Sequence, residues 1–295
     1  MMHPEFMAVD WGTTHRRRFT IAADGTVVAR DSDDRGILAV SDFPAEIAAL
    51  RAAAGDMPLL LAGMVGSNRG WVEAPYVEAP ASLAALAAAL VSPLPGVQIV
   101  PGVVQRDPAR PDIMRGEEVQ LFGAQALGQL GNGLACHPGT HSKWIEVEDG
   151  GIARFRTVMT GDLLAALKAR SILSDILAHD PGLDDDFIAG VDHALDASDL
   201  TAELFGARAR VVTGQMSAAA AASRISGLLI GSDVRTGLGR SRADVVTLVG
   251  SPGLNARFAL ALARAGRESI SVDGETAFIA GARAIMAAQT AGARA

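Results

Sequence analysis

Several features that mark familiar protein classes are scarce or absent in this sequence. A single cysteine, Cys136, among 295 residues excludes an internal disulfide and fits a reducing compartment. Cys136 and the six histidines show no zinc-ligand spacing, so we expect no zinc site. Lysine and arginine total 26 against 33 aspartates and glutamates, and this net charge of −7 argues against nucleic acid as the main partner.

Long hydrophobic runs are also missing. The alanine-rich stretches are too short, or too often interrupted by charge, to span a bilayer. The first apolar stretch has no basic flank and is interrupted by Asp10, unlike a signal peptide. We therefore expect a soluble cytoplasmic protein without a membrane partner.

Three nucleotide-binding fingerprints are absent as well. No G-x-G-x-x-G follows the first predicted strand, which excludes a Rossmann oxidoreductase. The P-loop pattern G-x-x-x-x-G-K-[ST] and the H-R-D and D-F-G signatures of protein kinases are missing too. A nucleotide enzyme with this sequence must therefore use another scaffold.

The most informative stretch lies near the N-terminus. Phe6–Val9 predicts a strand that runs into Asp10 and the small-residue turn Gly12-Thr13-Thr14, and residues 19–30 predict two strands joined by an Asp-Gly hairpin turn. A glycine lets the backbone approach a ligand, and threonines add hydroxyl and N–H donors. An aspartate at a strand end can hold a hydrated Mg²⁺. On its own, however, such a short pattern more often marks an ordinary hairpin with a polar turn.

The same unit recurs about one domain's length later in the chain. Gly139-Thr140 precedes the predicted strand Trp144–Glu148, and an Asp-Gly turn at Asp149 leads into another strand, Ile152–Val158. Two such units facing each other would clamp a polyphosphate between two Gly-Thr turns. The repeat therefore favours phosphate binding over an ordinary hairpin.

The rest of the chain predicts alternating helices and strands, with 49% hydrophobic residues for packed cores. Further predicted strands lie at 57–62, 97–100, 245–249 and 269–272. We expect two domains, 1–130 and 131–295. The last predicted helix, 276–289, is available to pack back toward the N-terminal domain.

Eight short sequence blocks occur in order across nearly the full length. They are Asp10–Thr14, Gly63–Asn68 with Gly70-Trp71, Ala74–Tyr76, Met114–Glu118, Pro138–Trp144, Phe155–Gly161, Ser226–Gly231 and Leu248–Ser251. In this order they resemble the 2-dehydro-3-deoxygalactonokinase family, within the actin-like ATPase superfamily of hexokinases, glycerol kinases and Hsp70. One departure is His15-Arg16-Arg17, where that family more often shows Asn-x-Arg. The resemblance implies an α/β fold of two RNase H-like domains with a central cleft for ATP and substrate.

The resemblance also implies a function. The expected reaction is ATP-dependent phosphorylation of the 6-hydroxyl of 2-dehydro-3-deoxy-D-galactonate in galactonate catabolism, with Mg²⁺, by a phosphotransferase whose acceptor is an alcohol. The expected partners are the sugar acid and ATP, and a homodimer is left open. A phosphoanhydride hydrolase on the same scaffold is disfavoured because it would not need the sugar-side loop. A non-catalytic sugar sensor is disfavoured because it would be expected to lose Glu117 and Glu118.

Phosphoryl transfer depends on charge neutralisation and alignment, which suggests roles for the turn residues. The residues assigned to the ATP phosphates are Gly12, Thr13, Thr14, Gly139, Thr140 and Lys143. Gly250 and Ser251 are assigned to adenosine, and Asp10 to Mg²⁺ through water. Each assignment has a structural alternative: an aspartate that caps a turn, a solvated strand lysine, or a plain turn between strand and helix.

The base that takes the substrate proton should be a carboxylate. Arg115-Gly116-Glu117-Glu118 precedes a predicted bridging helix, where sugar kinases of the superfamily carry their base. We assign Glu117, with Glu118 as the alternative; the structural reading is that both acids only favour a helix N-terminus.

An anionic substrate should meet a guanidinium, for which Arg17 and Arg115 are the candidates and Arg156 a weaker one. The loop residues assigned to the sugar are Gly66, Ser67, Asn68 and Trp71, with core packing as the alternative for Trp71.

Overall fold

The computed structural model describes residues 4–55, 57–239 and 241–292. The strands are β1 (Pro4–Trp11), β2 (Arg16–Ala22), β3 (Val27–Asp33), β4 (Leu59–Gly63), β5 (Val77–Glu78), β6 (Val91–Leu94), β7 (Val97–Ile99), β8 (Val103–Gln105), β9 (Asp112–Met114), β10 (Gly133–His137), β11 (Ser142–Glu148), β12 (Gly151–Val158), β13 (Val245–Gly250) and β14 (Glu268–Asp273). The helices are α1 (Phe43–Ala54), α2 (Leu83–Ala88), α3 (Glu117–Ala126), α4 (Thr160–Arg170), α5 (Ser174–Leu177), α6 (Asp185–Asp196), α7 (Leu200–Val212), α8 (Ala218–Leu238), α9 (Pro252–Arg264) and α10 (Gly274–Gly292). None of these helices is both long and apolar enough to cross a membrane.

The chain divides into two compact units. Among the described residues, unit 1 contains those from Pro4 through Asn132, the hairpin segment Val147–Arg154 and Gly274–Gly292. Unit 2 contains Gly133–Glu146 and Phe155–Asp273. The hairpin segment Val147–Arg154 lies outside the predicted N-terminal domain 1–130, whereas the C-terminal helix joins unit 1, as the sequence had left open.

Unit 1 is built on a six-stranded sheet with the order β3-β2-β1-β4-β7-β6. β1 pairs antiparallel with β2 and parallel with β4, in a register that sets Asp10 opposite Ala62 and Trp11 opposite Gly63. The carboxyl ends of these two parallel strands therefore meet at one edge of the sheet. The alternating apolar residues of β1 and β4 are buried in one core with Ile47 and Leu50 of α1.

The hairpin turns predicted from Asp-Gly pairs are confirmed. β2 and β3 pair antiparallel around Gly25, whose φ is +90°, and Asp24 accepts a hydrogen bond from the Thr26 N–H at 2.8 Å. Asp149 and Gly150 likewise have φ values of 50° and 72°. Positive φ at these positions suits the tight turns that match strand twist.

A five-stranded sheet has the order β12-β11-β10-β13-β14, and most of its residues belong to unit 2; the hairpin segment Val147–Arg154 of β11 and β12 is the part assigned to unit 1. β13 pairs parallel with both β10 and β14. Phe187 of α6 and Phe258 of α9 are buried with the apolar residues of these strands. α6 and α8 can approach closely because Gly190 and Gly227 have no Cβ. A Cβ on either glycine would overlap the backbone of the opposite helix.

The longer predicted elements are confirmed, and the short ones were missed. The predicted strands and helices that bracket both Gly-Thr turns lie within a few residues of their observed bounds. The two prolines between Gln105 and Asp112 predict a surface loop, and the structure has one there; the short strands β8 and β9 on either side of it, which form a small sheet with β5, were not predicted. Strands of two or three residues carry too little alternation to be recognised in a sequence.

Candidate active site

The first Gly-Thr turn follows β1 in unit 1 and exposes backbone donors. The Gly12 N–H donates to the His15 carbonyl at 2.9 Å and closes the turn. Behind it, three N–H groups of Gly36–Leu38 donate to the carbonyls of Gly12–Thr14 at 3.0, 3.2 and 3.1 Å. Both threonines are exposed, and no group in the described part of the chain accepts from their N–H. With its carbonyls occupied and two N–H groups available, the turn suits an anion.

Asp10, the next-to-last residue of β1, lies beside a pocket of about 630 Å³ in unit 1. The lining residues are Asp10, Gly12, Thr14, His15, Arg17, Ser32, Asp33 and Asp34. The Arg17 guanidinium donates to Asp10 Oδ2 at 2.6 Å, and the Arg17 side chain is 44% exposed. His15 Nδ1 lies 2.9 Å from Asp34 Oδ1. Carboxylate oxygens around an open pocket are ligands that Mg²⁺ accepts.

The N-terminus of α3 lies at the same strand ends. Gly116 precedes α3 with a φ of +109°, and a Cβ placed on it would lie 3.4 Å from the Gly63 Cα. Gly63 is paired with Trp11, the residue after Asp10. Unit 1 therefore brings together the first Gly-Thr turn, Asp10 and the two glutamates, which are far apart in the sequence.

Glu117 and Glu118 differ sharply in environment. Glu117 is half-buried and its Oε2 accepts from the Arg115 N–H at 2.9 Å. Glu118 is fully buried, and its two carboxylate oxygens lie 2.8 and 2.7 Å from the Gly116 nitrogen, which donates to them. Burial, and secondarily the charge of Glu117, raise the pKa of Glu118 to about 8. Only Glu117 combines a carboxylate with access from outside the core.

The loop after β4 is closed by its own hydrogen bonds. The buried Ser67 hydroxyl donates to the Met64 carbonyl at 2.8 Å, and the Gly66 carbonyl accepts from the Ala74 N–H at 2.9 Å. Asn68 is exposed at the tip of the loop. Trp71 is partly buried and packs on the core of unit 1, so its contact with a sugar stays a prediction.

Arg115 lies beneath this loop with part of its guanidinium unpaired. Nη2 donates to the Ala74 carbonyl at 2.8 Å, and the guanidinium carbon lies 4.3 Å from the centre of the Tyr76 ring. Nε and Nη1 are buried and have no hydrogen-bond partner among the described residues. Because unpaired buried N–H groups on a cation are costly, this guanidinium is suited to receive a ligand carboxylate.

The second Gly-Thr turn lies in unit 2, against the N-terminus of α4. The Asp162 N–H donates to the Thr140 carbonyl at 2.9 Å, and a Cβ on Gly161 would lie 2.7 Å from the Gly139 carbonyl oxygen. The N–H groups of Gly139 and Thr140 have no acceptor in the residues that the structure describes. As in the first turn, neighbouring backbone holds a carbonyl group of this turn, while its N–H groups are available to a ligand. The turn also lies beside the N-terminus of α4, the positive end of the helix dipole.

Lys143 is not a solvated strand lysine. It is 6% exposed, and its Nζ donates to Thr157 Oγ1 at 2.9 Å. The ammonium group is thus held inside unit 2, close in sequence to the second turn. Its contact with a phosphate stays a prediction.

The residues assigned to adenosine lie at the end of β13. Gly250 is buried, and Ser251 is the exposed N-cap residue of α9. The Asn255 amide nitrogen lies 3.3 Å from the Gly250 carbonyl and 3.1 Å from the Val272 carbonyl, so it ties the ends of β13 and β14 together. The shape of this turn is therefore defined, while adenosine binding stays a prediction.

Two charged residues that hold the turns were missed in the sequence. Arg16 is 3% exposed, stacks on Trp11 and pairs with Asp33 at 2.7 Å and Glu46 at 2.9 Å. Asp233 is fully buried in α8. A lone aspartate within an apolar helix is the signal that could have identified it, because buried carboxylates require partners.

The comparisons with known proteins agree on one family. The family model described as 2-keto-3-deoxy-galactonokinase matches residues 10–285. The chain is 38% identical over 295 residues to a Rhizobium meliloti protein named as a probable 2-dehydro-3-deoxygalactonokinase, covering 94% of each. It is 35% identical over 290 residues to the 2-dehydro-3-deoxygalactonokinase of Escherichia coli, covering 96% of this chain and 98% of that protein.

Solved structures agree on the fold. A crystal structure of a Sinorhizobium meliloti protein described as a 2-dehydro-3-deoxygalactonokinase has a TM-score of 0.90 at 36% identity, covering 96% of this chain and 98% of that one. Component A of an Acidaminococcus fermentans (R)-2-hydroxyglutaryl-CoA dehydratase has a TM-score of 0.54 at 14% identity, covering 96% and 98%. The expected α/β fold of the actin-like ATPase and sugar kinase group is confirmed. The central cleft stays a prediction.

Proposed function

Because this chain belongs to the 2-keto-3-deoxy-galactonokinase family, we propose that it transfers the γ-phosphoryl group of ATP to the 6-hydroxyl of 2-dehydro-3-deoxy-D-galactonate. The observation that carries the proposal is the grouping at the ends of β1 and β4. There a donor-rich turn, the half-buried Glu117 and the incompletely paired Arg115 occur in one unit. These are the groups that phosphate, an alcohol proton and a sugar-acid carboxylate require. Such soluble substrates fit a cytoplasmic location.

In this mechanism Glu117 is the general base. Its carboxylate accepts the proton of the 6-hydroxyl as that oxygen bonds to the γ-phosphorus and the bond from phosphorus to the β,γ-bridging oxygen breaks. The hydrogen bond from the Arg115 N–H holds the carboxylate in place. Glu118 is enclosed in the core and holds the Gly116 backbone instead.

The two Gly-Thr turns bind the phosphates of ATP. Each turn has two N–H groups without an acceptor in the described chain and a carbonyl side held by neighbouring backbone. These preorganised donors stabilise charge on the transferred group without rearranging. Lys143 contributes positive charge on the side of the second turn, and Gly250 and Ser251 contact adenosine.

Mg²⁺ would be held beside Asp10, whose carboxylate lies at the 630 Å³ pocket with those of Asp33 and Asp34. Each of these carboxylates already pairs with a basic side chain (Arg17, Arg16 and His15), so a hydrated Mg²⁺ would contact Asp10 through water rather than by direct ligation. When bound, the ion supplies charge neutralisation at the phosphates. Arg17 pairs with Asp10 and keeps this carboxylate in position.

The direct test is coupled ADP release with Mg²⁺-ATP, with and without a panel of sugar acids. We expect ADP release to require the sugar acid, and ³¹P NMR to show a new phosphomonoester on its terminal hydroxyl. Equal ADP release with and without the acid would replace the proposal with the hydrolase. Sugar-acid binding without any turnover would replace it with the sensor.

The sugar-acid part of the proposal is tested at Arg115. Arg115→Ala should raise the KM for the sugar acid about 10- to 100-fold, the effect of losing a charged hydrogen bond, and leave the KM for ATP unchanged. Arg257→Ala is the matched control, because Arg257 also donates to a carbonyl (of Pro181, at 2.7 Å) and lies over an aromatic ring, but in unit 2. An unchanged sugar-acid KM in Arg115→Ala would remove this residue from the substrate site.

A further inference from the structure

Asp233 of α8 is the most deeply enclosed carboxylate of unit 2 that the proposed mechanism does not use. Its side chain has no exposed surface. Trp144 Nε1 donates to Oδ1 at 2.7 Å, and Thr160 Oγ1 donates to Oδ2 at 2.5 Å. Both carboxylate oxygens are therefore engaged, each by a different segment of the chain.

The two donors stand on either side of the second Gly-Thr turn. Trp144 belongs to β11, the strand that follows the turn, and Thr160 is the first residue of α4. The residue after Thr160, Gly161, lies directly against the Gly139 carbonyl, and the next N–H donates to the Thr140 carbonyl. A displacement of Thr160 would therefore be transmitted to the backbone of the turn.

Burying a carboxylate is costly, so stability alone does not explain its presence. Burial raises the pKa of Asp233, while the hydrogen bonds from Thr160 and Trp144 act in the opposite direction. An apolar side chain could fill the same space without removing a charged group from water. An apolar side chain could not, however, accept hydrogen bonds from both β11 and the first residue of α4.

We propose that Asp233 is a positioning residue for nucleotide binding, which fixes the second Gly-Thr turn by bonding β11 and the N-terminus of α4 together. This inference rests on the proposed function, because it takes the Gly139–Thr140 turn to be a phosphate-binding turn. Asp233 itself does not touch the phosphates. It holds the N–H groups of the turn in the arrangement that receives them, and small displacements of such groups weaken binding strongly.

Two substitutions remove this link by different routes. Asp233→Asn keeps the shape but replaces one accepting oxygen with an NH₂ group, so one of the two donors loses its acceptor. Thr160→Val removes the hydroxyl with almost no change in volume, and Thr160→Ser restores it. Asp184→Asn is the matched control, because Asp184 is bonded to Ser223 of the same helix α8 and caps α6, away from the turn.

The test measures the KM for ATP and for the sugar acid, together with ATP binding by calorimetry. We expect Asp233→Asn and Thr160→Val to weaken ATP binding and raise the KM for ATP about tenfold or more. The KM for the sugar acid should stay within about twofold, Thr160→Ser should behave like the wild type, and Asp184→Asn should leave both KM values unchanged.

The outcomes separate this inference from the proposed function. Unchanged ATP affinity in both Asp233→Asn and Thr160→Val overturns it, and so does an equal loss in Thr160→Ser. An equal rise of both KM values also overturns it, because that pattern indicates general damage to the fold. If the wild type binds ATP but phosphorylates no sugar acid, the proposed function fails, and the calorimetry of the Thr160 pair still decides the role of Asp233.

Discussion

At the residue scale, two adjacent glutamates acquire different chemistry from their surroundings. The carboxylate of Glu118 is enclosed and bonded to the Gly116 N–H, whereas Glu117 keeps access to solvent. With a pKa raised to about 8, Glu118 carries its proton at neutral pH, and a protonated acid cannot accept another from a substrate. Glu117 is therefore the stronger candidate for the base.

Replacing Glu117 or Glu118 by glutamine should therefore have unequal effects on kcat. Glu117→Gln should lower kcat by about 10²–10⁴-fold, the usual range for loss of a general base, with little change in the KM for the sugar acid. Glu118→Gln should retain kcat to within about tenfold, because a neutral amide resembles the protonated acid in shape and charge. Steady-state kinetics at neutral pH provide the measurement. The reverse pattern would move the base to Glu118, and normal kcat in both would move it elsewhere, with Asp162 next to be tested.

Glu118 also predicts how stability depends on pH. Its pKa rises from 4.5 in the unfolded chain to about 8 in the fold, so the folded state binds more protons in this window. The contribution of Glu118 to the free energy of unfolding should therefore be greatest below pH 4.5 and be lost as the pH rises through 8. At about 1.4 kcal/mol per pKa unit, the loss amounts to a few kcal/mol.

Urea unfolding of the wild type and Glu118→Gln across this pH range isolates that contribution. The glutamine does not titrate, so the difference in unfolding free energy between the two proteins should change with pH. A difference that stays constant across the range would show that Glu118 is not buried in its protonated form.

At the element scale, the helix that carries the glutamates is positioned by the last helix of the chain. A Cβ on Gly123 of α3 would overlap the Ala277 carbonyl of α10, and a Cβ on Gly281 of α10 would overlap the Val119 carbonyl of α3. Only hydrogen atoms at these two positions allow the backbones to approach this closely. The crossing therefore helps to set where the first turn of α3, and with it Glu117, lies.

Gly281→Ala should consequently destabilise unit 1 despite the better helix propensity of alanine. The added methyl group meets backbone, which cannot turn aside, and overpacking of this kind costs about 1–3 kcal/mol. Because α3 must shift, kcat should fall as well. Gly292→Ala on the same helix, where a Cβ meets nothing, is the control for propensity. Equal unfolding midpoints in urea for the two variants would contradict the close crossing.

At the scale of the whole molecule, the two compact units are not consecutive segments of sequence. The chain begins in unit 1, enters unit 2 at Gly133 and returns to unit 1 at Gly274. Phe278 and Ile285 of α10 are buried there, and the Phe278 ring centre lies 5.7 Å from that of Phe19 in β2. The C-terminal helix thus completes a core whose other residues come from the start of the chain.

A chain ending at Asp273 should therefore lose unit 1 while keeping unit 2. Exposing Phe278 and Ile285 alone forfeits about 1.5–3 kcal/mol each, a large part of the 5–15 kcal/mol that stabilises a typical domain. Native-state hydrogen exchange should show loss of protection in β1, β2 and α3 and persistence in β10 and β13. A chain ending at Gly292 should match the full protein. Protection of unit 1 without α10 would show that this helix is dispensable.

Local patterns in the sequence predicted hairpin turns and a helix start that the structure contains. The Asp-Gly turns at Asp24 and Asp149 form as predicted, because each depends on residues only a few positions apart. The segment Ser41–Pro44 predicts the start of α1, and Asp42 within it accepts from the Ala45 N–H as the cap residue.

The sequence by itself determined the two Gly-Thr turns, the strands around them and the family, because these follow from short-range patterns and from motif order. Only the tertiary structure decided that Glu118 is enclosed while Glu117 is accessible, that Arg115 keeps unpaired N–H groups, and that Asp233 joins β11 to α4. It also decided that α10 belongs to unit 1. The physical reason is that burial and pairing depend on residues far apart in the chain. The charge of a side chain and its position in the sequence do not show which distant group it will contact in the folded protein.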